Sequence, residues 1–210
     1  MENLAKKAKP TFTDMLRVRF KGIIEPIASF LNRLGMRPNT ATLLGLFGTV
    51  VGSVFLAIGQ ITVGGIILLI FAPVDALDGT MARLRGESSE FGAFVDSVTD
   101  RYAELVTFGG LAFYFSQQNN SNGVILTYAA AAGSVLVSYI RARAQSVGFE
   151  TKIGIFSRVE RYIVLIPCLI FNIPLVAVGL IAVFANITAL QRIWHVRAQA
   201  HEKMALAEKK

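Results

Sequence analysis

Three long stretches without a charged side chain, Pro38–Val74, Leu105–Ile140 and Tyr162–Gln191, decide what this chain can fold into. Each of the first two is too long for one membrane span of about 20 residues and suits two, joined by a tight turn. The third is shorter, so two spans drawn from it must borrow length from Arg158, Glu160, Arg161 and Arg192 at its ends. Turns are expected over 59–65, in the polar run 116–123 and at 172–174, where glycine, asparagine and proline interrupt the apolar pattern. Every lysine and arginine falls at the open ends of these three hairpins, and the positive-inside rule then places those ends and both termini in the cytoplasm. A composition of 53% hydrophobic and 17% charged residues fits an all-α integral membrane protein with six transmembrane helices.

Ahead of the first block, residues 11–33 set apolar positions against Arg17, Arg19, Lys21 and Arg33 at helical spacing. This predicts an amphipathic helix, with Pro26 a point for a bend, lying in the membrane interface or packed on the protein's own cytoplasmic face. The expected organisation is a cytoplasmic N-terminus with this helix over 1–37, a six-helix domain over 38–195 and a basic cytoplasmic tail over 196–210. No signal-peptide pattern is expected in the polar opening residues. In the tail the final lysines read as solvated, Trp194 as an interfacial anchor, and His195 and His201 as no one's ligands. The net charge of +7 gathers at the edges of apolar blocks, which suits an anionic lipid leaflet and argues against nucleic acid. Cys168, the single cysteine, supports neither a disulfide framework nor a thiolate metal site.

Between the first two blocks the chain reads DALDGTMARLRGESSEFGAFVDSVTD, from Asp75 to Asp100. Asp75 and Asp78 are three residues apart and Asp96 and Asp100 four, so each pair shares a helix face. Four carboxylates beside apolar spans repel one another and call for a counter-charge. A hard divalent cation with an all-oxygen shell, Mg²⁺ or Mn²⁺, supplies it; Ca²⁺ shares that chemistry, whereas zinc finds no Cys or His set. Gly79 and Gly92 lack a Cβ that would hold off a phosphate or ribose, and the planar fork of Arg83 suits a phosphate or the acidic cluster. Glu104, one turn beyond Asp100, is placed to orient Arg83 or Arg101.

The pattern formed by Asp75, Asp78, Gly79, Ala82, Arg83, Gly92, Asp96 and Asp100 resembles the signature of the CDP-alcohol phosphotransferases, D-x-x-D-G-x-x-A-R, then G, D and D at fixed spacing. The resemblance implies a CDP-linked lipid, two divalent ions held by Asp75, Asp78, Asp96 and Asp100, and release of CMP when an alcohol attacks the lipid-side phosphorus. Asp100 is then the general base and possible fourth metal ligand. Gly79, Ala82 and Arg83, with Asp78, line the nucleotide pocket. Asn39 and Thr42, in the PNTAT opening of the first span, either help hold cytidine or simply cap that helix. A homodimer is also implied.

Further on, Ser138-Tyr139-Ile140-Arg141, Glu160-Arg161 and Gln191-Arg192 look like the bacterial phosphatidylinositol phosphate synthases of that family. The resemblance implies that Arg141, Arg161 and Arg192, with Ser138 and Arg158, hold the phosphate of inositol phosphate at a bacterial plasma membrane. Arg141 stands where lysine is common and Ser157 where an acid often precedes the first arginine. Two other activities remain open at this level: a phosphatidylglycerophosphate synthase using glycerol 3-phosphate, and a small cation transporter. The latter is disfavoured because the carboxylates lie at one membrane edge and no half of the chain repeats.

Overall fold

The computed structural model describes residues 12–87 and 89–208, and for residues 12–18, 20, 23, 75, 76 and 208 the backbone only. These residues form helices joined by short links, with no strand among them: α1 (Phe12–Arg33), α2 (Pro38–Ala57), α3 (Ile61–Arg85), α4 (Glu90–Gln117), α5 (Ser121–Ser146), α6 (Arg158–Ile170) and α7 (Pro174–Glu208). Helices α2 to α7 pair as three hairpins. Two of the turns carry Asn119 and Asn172 at φ +52° and +57°, the left-handed conformation that asparagine tolerates best among residues with a side chain.

The first turn is tighter than the sequence suggests. It closes within 58–60, and Gly64 and Gly65 lie inside α3. Their role is close approach rather than turning: a Cβ on Gly64 would sit 2.8 Å from the Gly52 carbonyl oxygen, and one on Gly65 2.8 Å from Leu169 Cβ. The three turns gather at one end of the bundle. Thr62 Oγ1 donates to the Ile170 carbonyl at 3.1 Å, and Gly59 faces the ring of Tyr114. The charged helix ends gather at the other.

A core of Leu56, Ile61, Leu68, Phe108, Leu111, Leu165, Leu169, Val178 and Ile181 fills the space between the helices. Outward, Phe47, Ile70, Ile125 and Val183 are all more than half exposed. Apolar surface on that scale needs lipid around it. Four helices, α2, α3, α5 and α7, are long and apolar enough to cross a membrane. The chain is a multi-pass membrane protein.

Helices α4 and α6 are not among those four, for related reasons. In α4 the first half is occupied by Glu90, Asp96, Asp100, Arg101 and Glu104, which leaves apolar length only from Leu105 onward. Helix α6 has 13 residues, about 20 Å at 1.5 Å per residue, and opens on Arg158, Glu160 and Arg161. The sixth expected span, by contrast, extends into a 35-residue α7 that continues past residue 195 without a break.

Helix α1 forms over the expected residues, with Pro26 inside it. Ile24, Ala28 and Leu31 pack on Leu77 and Met81 near the end of α3, while Ile27, Phe30 and Leu34 remain exposed. Arg85 fastens the junction, donating from Nε to Asn32 Oδ1 and from Nη2 to the Met36 carbonyl, both at 2.8 Å. The helix that precedes the bundle is thus tied directly to the helix that carries the first half of the aspartate motif.

Candidate active site

The motif straddles a helix–link–helix junction. Helix α3 ends on Gly86, whose left-handed φ of +68° lets its amide and that of Glu87 bond back to the Arg83 and Ala82 carbonyls. Helix α4 restarts at Ser89, whose hydroxyl accepts from the Gly92 amide at 3.0 Å. Helix α2 packs against both and lines the junction from within the bundle.

Asp78 is 7% exposed and accepts a hydrogen bond from the hydroxyl of Thr42 on α2, itself 3% exposed. It also accepts from the Gly79 amide. Thr42 therefore meets the motif directly. The cap of α2 falls to Arg37, with Pro38 at the first helical position and Asn39 exposed one residue further in, so neither Asn39 nor Thr42 is the N-cap. Arg83 is exposed and donates to Thr80 Oγ1 at 2.8 Å. Gly79 lies beneath it, where a Cβ would be 3.5 Å from Arg83 Nη1, and Ala82 is half-buried.

On α4, Asp96 is half-buried and Asp100 is 8% exposed. Asp100 is flanked by two guanidinium groups, Arg101 at 3.1 Å and Arg158, which reaches across from the start of α6. Arg158 also lies over the ring of Tyr162, 5.4 Å from its centre. Arg101 continues to Ser138 Oγ on α5 at 2.8 Å. Asp100, Arg158 and Ser138, which sequence placed in one site, are therefore linked in space, through an arginine that sequence assigned no role there.

One turn deeper, Glu104 is not the partner of Arg83 or Arg101 that its position suggested. It pairs with Arg161 at 2.5 Å, both residues nearly inaccessible. The reason is register: Asp100 and Glu104 are four apart on α4, Arg158 and Arg161 three apart on α6, so the two acids meet the two bases in parallel. Glu104 Oε2 has no hydrogen-bond partner, and beside it, next to Thr107 and Tyr162, is a cavity of about 10 Å³. That is room for about one water. The matching spacing of acids and bases is the one sequence signal of this pair, whose members lie 57 positions apart.

Among the remaining arginines, Arg141 is exposed on α5. Arg192 is 5% exposed and donates to the carbonyls of Val137 at 2.6 Å and Ile153 at 3.0 Å. It lies within electrostatic reach of Arg141 and Arg161. Ser157 stands where an acid was expected, and its hydroxyl donates to Glu160.

The donor set at the α3–α4 junction is all oxygen, from carboxylates and the Thr42 hydroxyl, which is the chemistry a hard divalent cation takes. Among the described residues no three carboxylate, imidazole or thiol side chains converge closely enough to hold an ion by themselves. The side chain of Asp75, the motif's first carboxylate, lies outside the described residues.

Comparison with known proteins agrees with these features. Residues 36–196 match the family model for CDP-alcohol phosphatidyltransferase. A phosphatidylinositol phosphate synthase of Streptomyces avermitilis is 34% identical over 203 residues, covering 89% of this chain and 82% of that protein. The crystal structure of Mycobacterium tuberculosis phosphatidylinositol phosphate synthase with CDP-DAG bound superposes with a TM-score of 0.77 at 32% identity, over 83% of this chain and 93% of the other. A second structure of the mycobacterial enzyme, in complex with manganese and citrate, gives the same TM-score at 31% identity, over 82% and 88% of the two chains. On the match to the family model and the identity over nearly its whole length, this chain belongs to the CDP-alcohol phosphatidyltransferase family.

Proposed function

We propose that this transferase moves the phosphatidyl group of CDP-diacylglycerol to inositol phosphate, giving phosphatidylinositol phosphate and CMP. The observation that carries the reading is the placement of Asp100: a carboxylate on the motif, bracketed by Arg158 and by the Arg101–Ser138 link. A general base must sit beside the hydroxyl it deprotonates, and an acceptor that is itself a phosphate needs cations at the same spot. The names of the relatives and the CDP-DAG in the mycobacterial structure support the same donor and acceptor.

In this reading Asp100 takes the proton of the acceptor hydroxyl as its oxygen bonds to the diacylglycerol-side phosphorus. The bond from that phosphorus to the CMP oxygen breaks, and CMP leaves with the electron pair. Arg141 and Arg158, with Ser138, meet the acceptor phosphate, and the buried Arg161 and Arg192 add positive potential beneath it. Asn39, Thr42, Asp78, Gly79, Ala82 and Arg83 receive the nucleotide; the small residues admit a close approach and Thr42 fixes the Asp78 carboxylate. Asp75, Asp78, Asp96 and Asp100 would hold two ions, Mg²⁺ or Mn²⁺. When bound, such ions neutralise the diphosphate and stabilise the departing phosphate.

The remaining topology follows the charge pattern. Helices α4 and α6 complete six spans, the charged ends and both termini face the cytoplasm, and α1 lays Ile27, Phe30 and Leu34 on the lipid interface. The plasma membrane is the site and a homodimer the working form. The test is CMP release from CDP-diacylglycerol by purified protein, with Mg²⁺ or with chelator, against added acceptor. Release that requires the metal and inositol phosphate is expected; a preference for glycerol 3-phosphate would reassign the acceptor.

A further inference from the structure

The link between α5 and α6, residues 147–157, has no helix of its own, yet it delivers Arg158 to Asp100. It is fastened along one face of α7. Thr188 Oγ1 accepts from the Phe156 amide at 3.1 Å, and Arg192 Nε donates to the Ile153 carbonyl at 3.0 Å. Gln199 Nε2 donates to the Glu150 carbonyl at 2.7 Å, and Lys203 Nζ lies 5.6 Å from the centre of the Phe149 ring. Residues 188, 192, 199 and 203 are four, seven and four apart, which on a helix of 3.6 residues per turn is a single stripe.

The contact is close along its length. Gly154, at φ +132°, passes Thr188 so tightly that a Cβ would fall 2.3 Å from Thr188 Cγ2, and Thr151 is 1% exposed. Arg192 spends its second bond on Val137, the residue before Ser138. Half of the stripe, Gln199 and Lys203, belongs to the basic tail expected over 196–210.

We infer that the extension of α7 beyond residue 195 sets the position of Arg158 through this link, and that Gln199 and Lys203 are positioning residues for the acceptor's anionic group. The inference rests on the reading that Arg158 meets that group. An irregular segment points its last residue only as well as it is held. If loosening leaves Arg158 in its competent position for a fraction of the time, apparent acceptor affinity falls by that fraction. The nucleotide side, built on α2 and α3, is spared.

The experiment compares the full-length wild type with a Gln199→Ala/Lys203→Ala variant by amide hydrogen exchange and by steady-state CMP release. Exchange over 149–156 should rise while α4 is unchanged. The acceptor KM should rise about three- to tenfold, the scale of one or two lost contacts, with the CDP-diacylglycerol KM within about twofold. Lys203→Arg, which keeps a cation over Phe149, should behave as wild type. Unchanged exchange over 149–156, or equal rises in both KM values, overturns the inference. Should the wild type ignore inositol phosphate, the acceptor assignment fails instead; the exchange comparison, and the KM of whichever anionic alcohol supports turnover, still decide the role of α7.

Discussion

One helical turn separates two ion pairs that use the same chemistry to different ends. In the deeper pair, Glu104 and Arg161, the side chains are 5% and 3% exposed; in the outer pair, Asp100 and Arg158, they are 11% and 26% exposed. Removing charges from water costs several kcal/mol per ion, so each member of the deeper pair depends on the other. Arg161 adds a bond to the Phe156 carbonyl, which leaves it little freedom. At the rim, Asp100 is shared between two arginines and Arg158 rests on an aromatic face, an arrangement in which partners can be exchanged. Fixed pairing lies where the bundle must be rigid, and exchangeable pairing lies where, in the proposed reaction, a carboxylate would gain and lose a proton.

The sharpest test of that division is Asp100→Asn. It keeps size and removes the base, so CMP release should fall by about 10²–10⁴ while thermal stability changes little. A large drop in melting temperature would make the outer pair structural and erase the distinction. Glu104→Ala should do the reverse, costing about 3–5 kcal/mol in thermal unfolding because Arg161 is left buried and unpaired. The Glu104→Ala/Arg161→Ala double variant should be less destabilised than the sum of the two single changes; strict additivity would mean that the deeper pair is not coupled.

Smaller effects refine the picture. Arg158→Lys keeps the charge but loses the planar fork, and should raise the acceptor KM about tenfold without altering that for CDP-diacylglycerol. At the far end of the burial scale, the exposed Lys21–Glu25 pair on α1 should contribute no more than about 0.5 kcal/mol, so Lys21→Ala should leave the unfolding midpoint nearly in place. A cost equal to that of Glu104→Ala would show that burial is not what separates the pairs.

Much of this was legible in the sequence because it rests on local regularities. The charge-free blocks gave the hairpins, asparagines marked two of the turns, and the spacing of the aspartates placed them at facing helix ends. What was misjudged depended on contacts between distant segments. Gly64 and Gly65 look like turn residues but serve helix packing, which only the neighbouring Gly52 and Leu169 reveal. Glu104 was assigned to nearby arginines because its partner lies 57 positions away. The docking of the tail left no mark in the sequence because Gln199 and Lys203 have no apolar periodicity to betray it; their partners are a carbonyl and a ring in an irregular segment.

The shortness of α6 has a consequence for how two unlike reactants meet. Its 13 residues span roughly two-thirds of a hydrocarbon layer of about 30 Å. In the proposed six-span topology, with its far end at one surface of the membrane, its arginine-bearing end would stand below the plane of the opposite headgroups. On that reading the proposed water-soluble acceptor would have to come down to the arginine-bearing end of α6, and the lipid donor would react without being lifted from its leaflet.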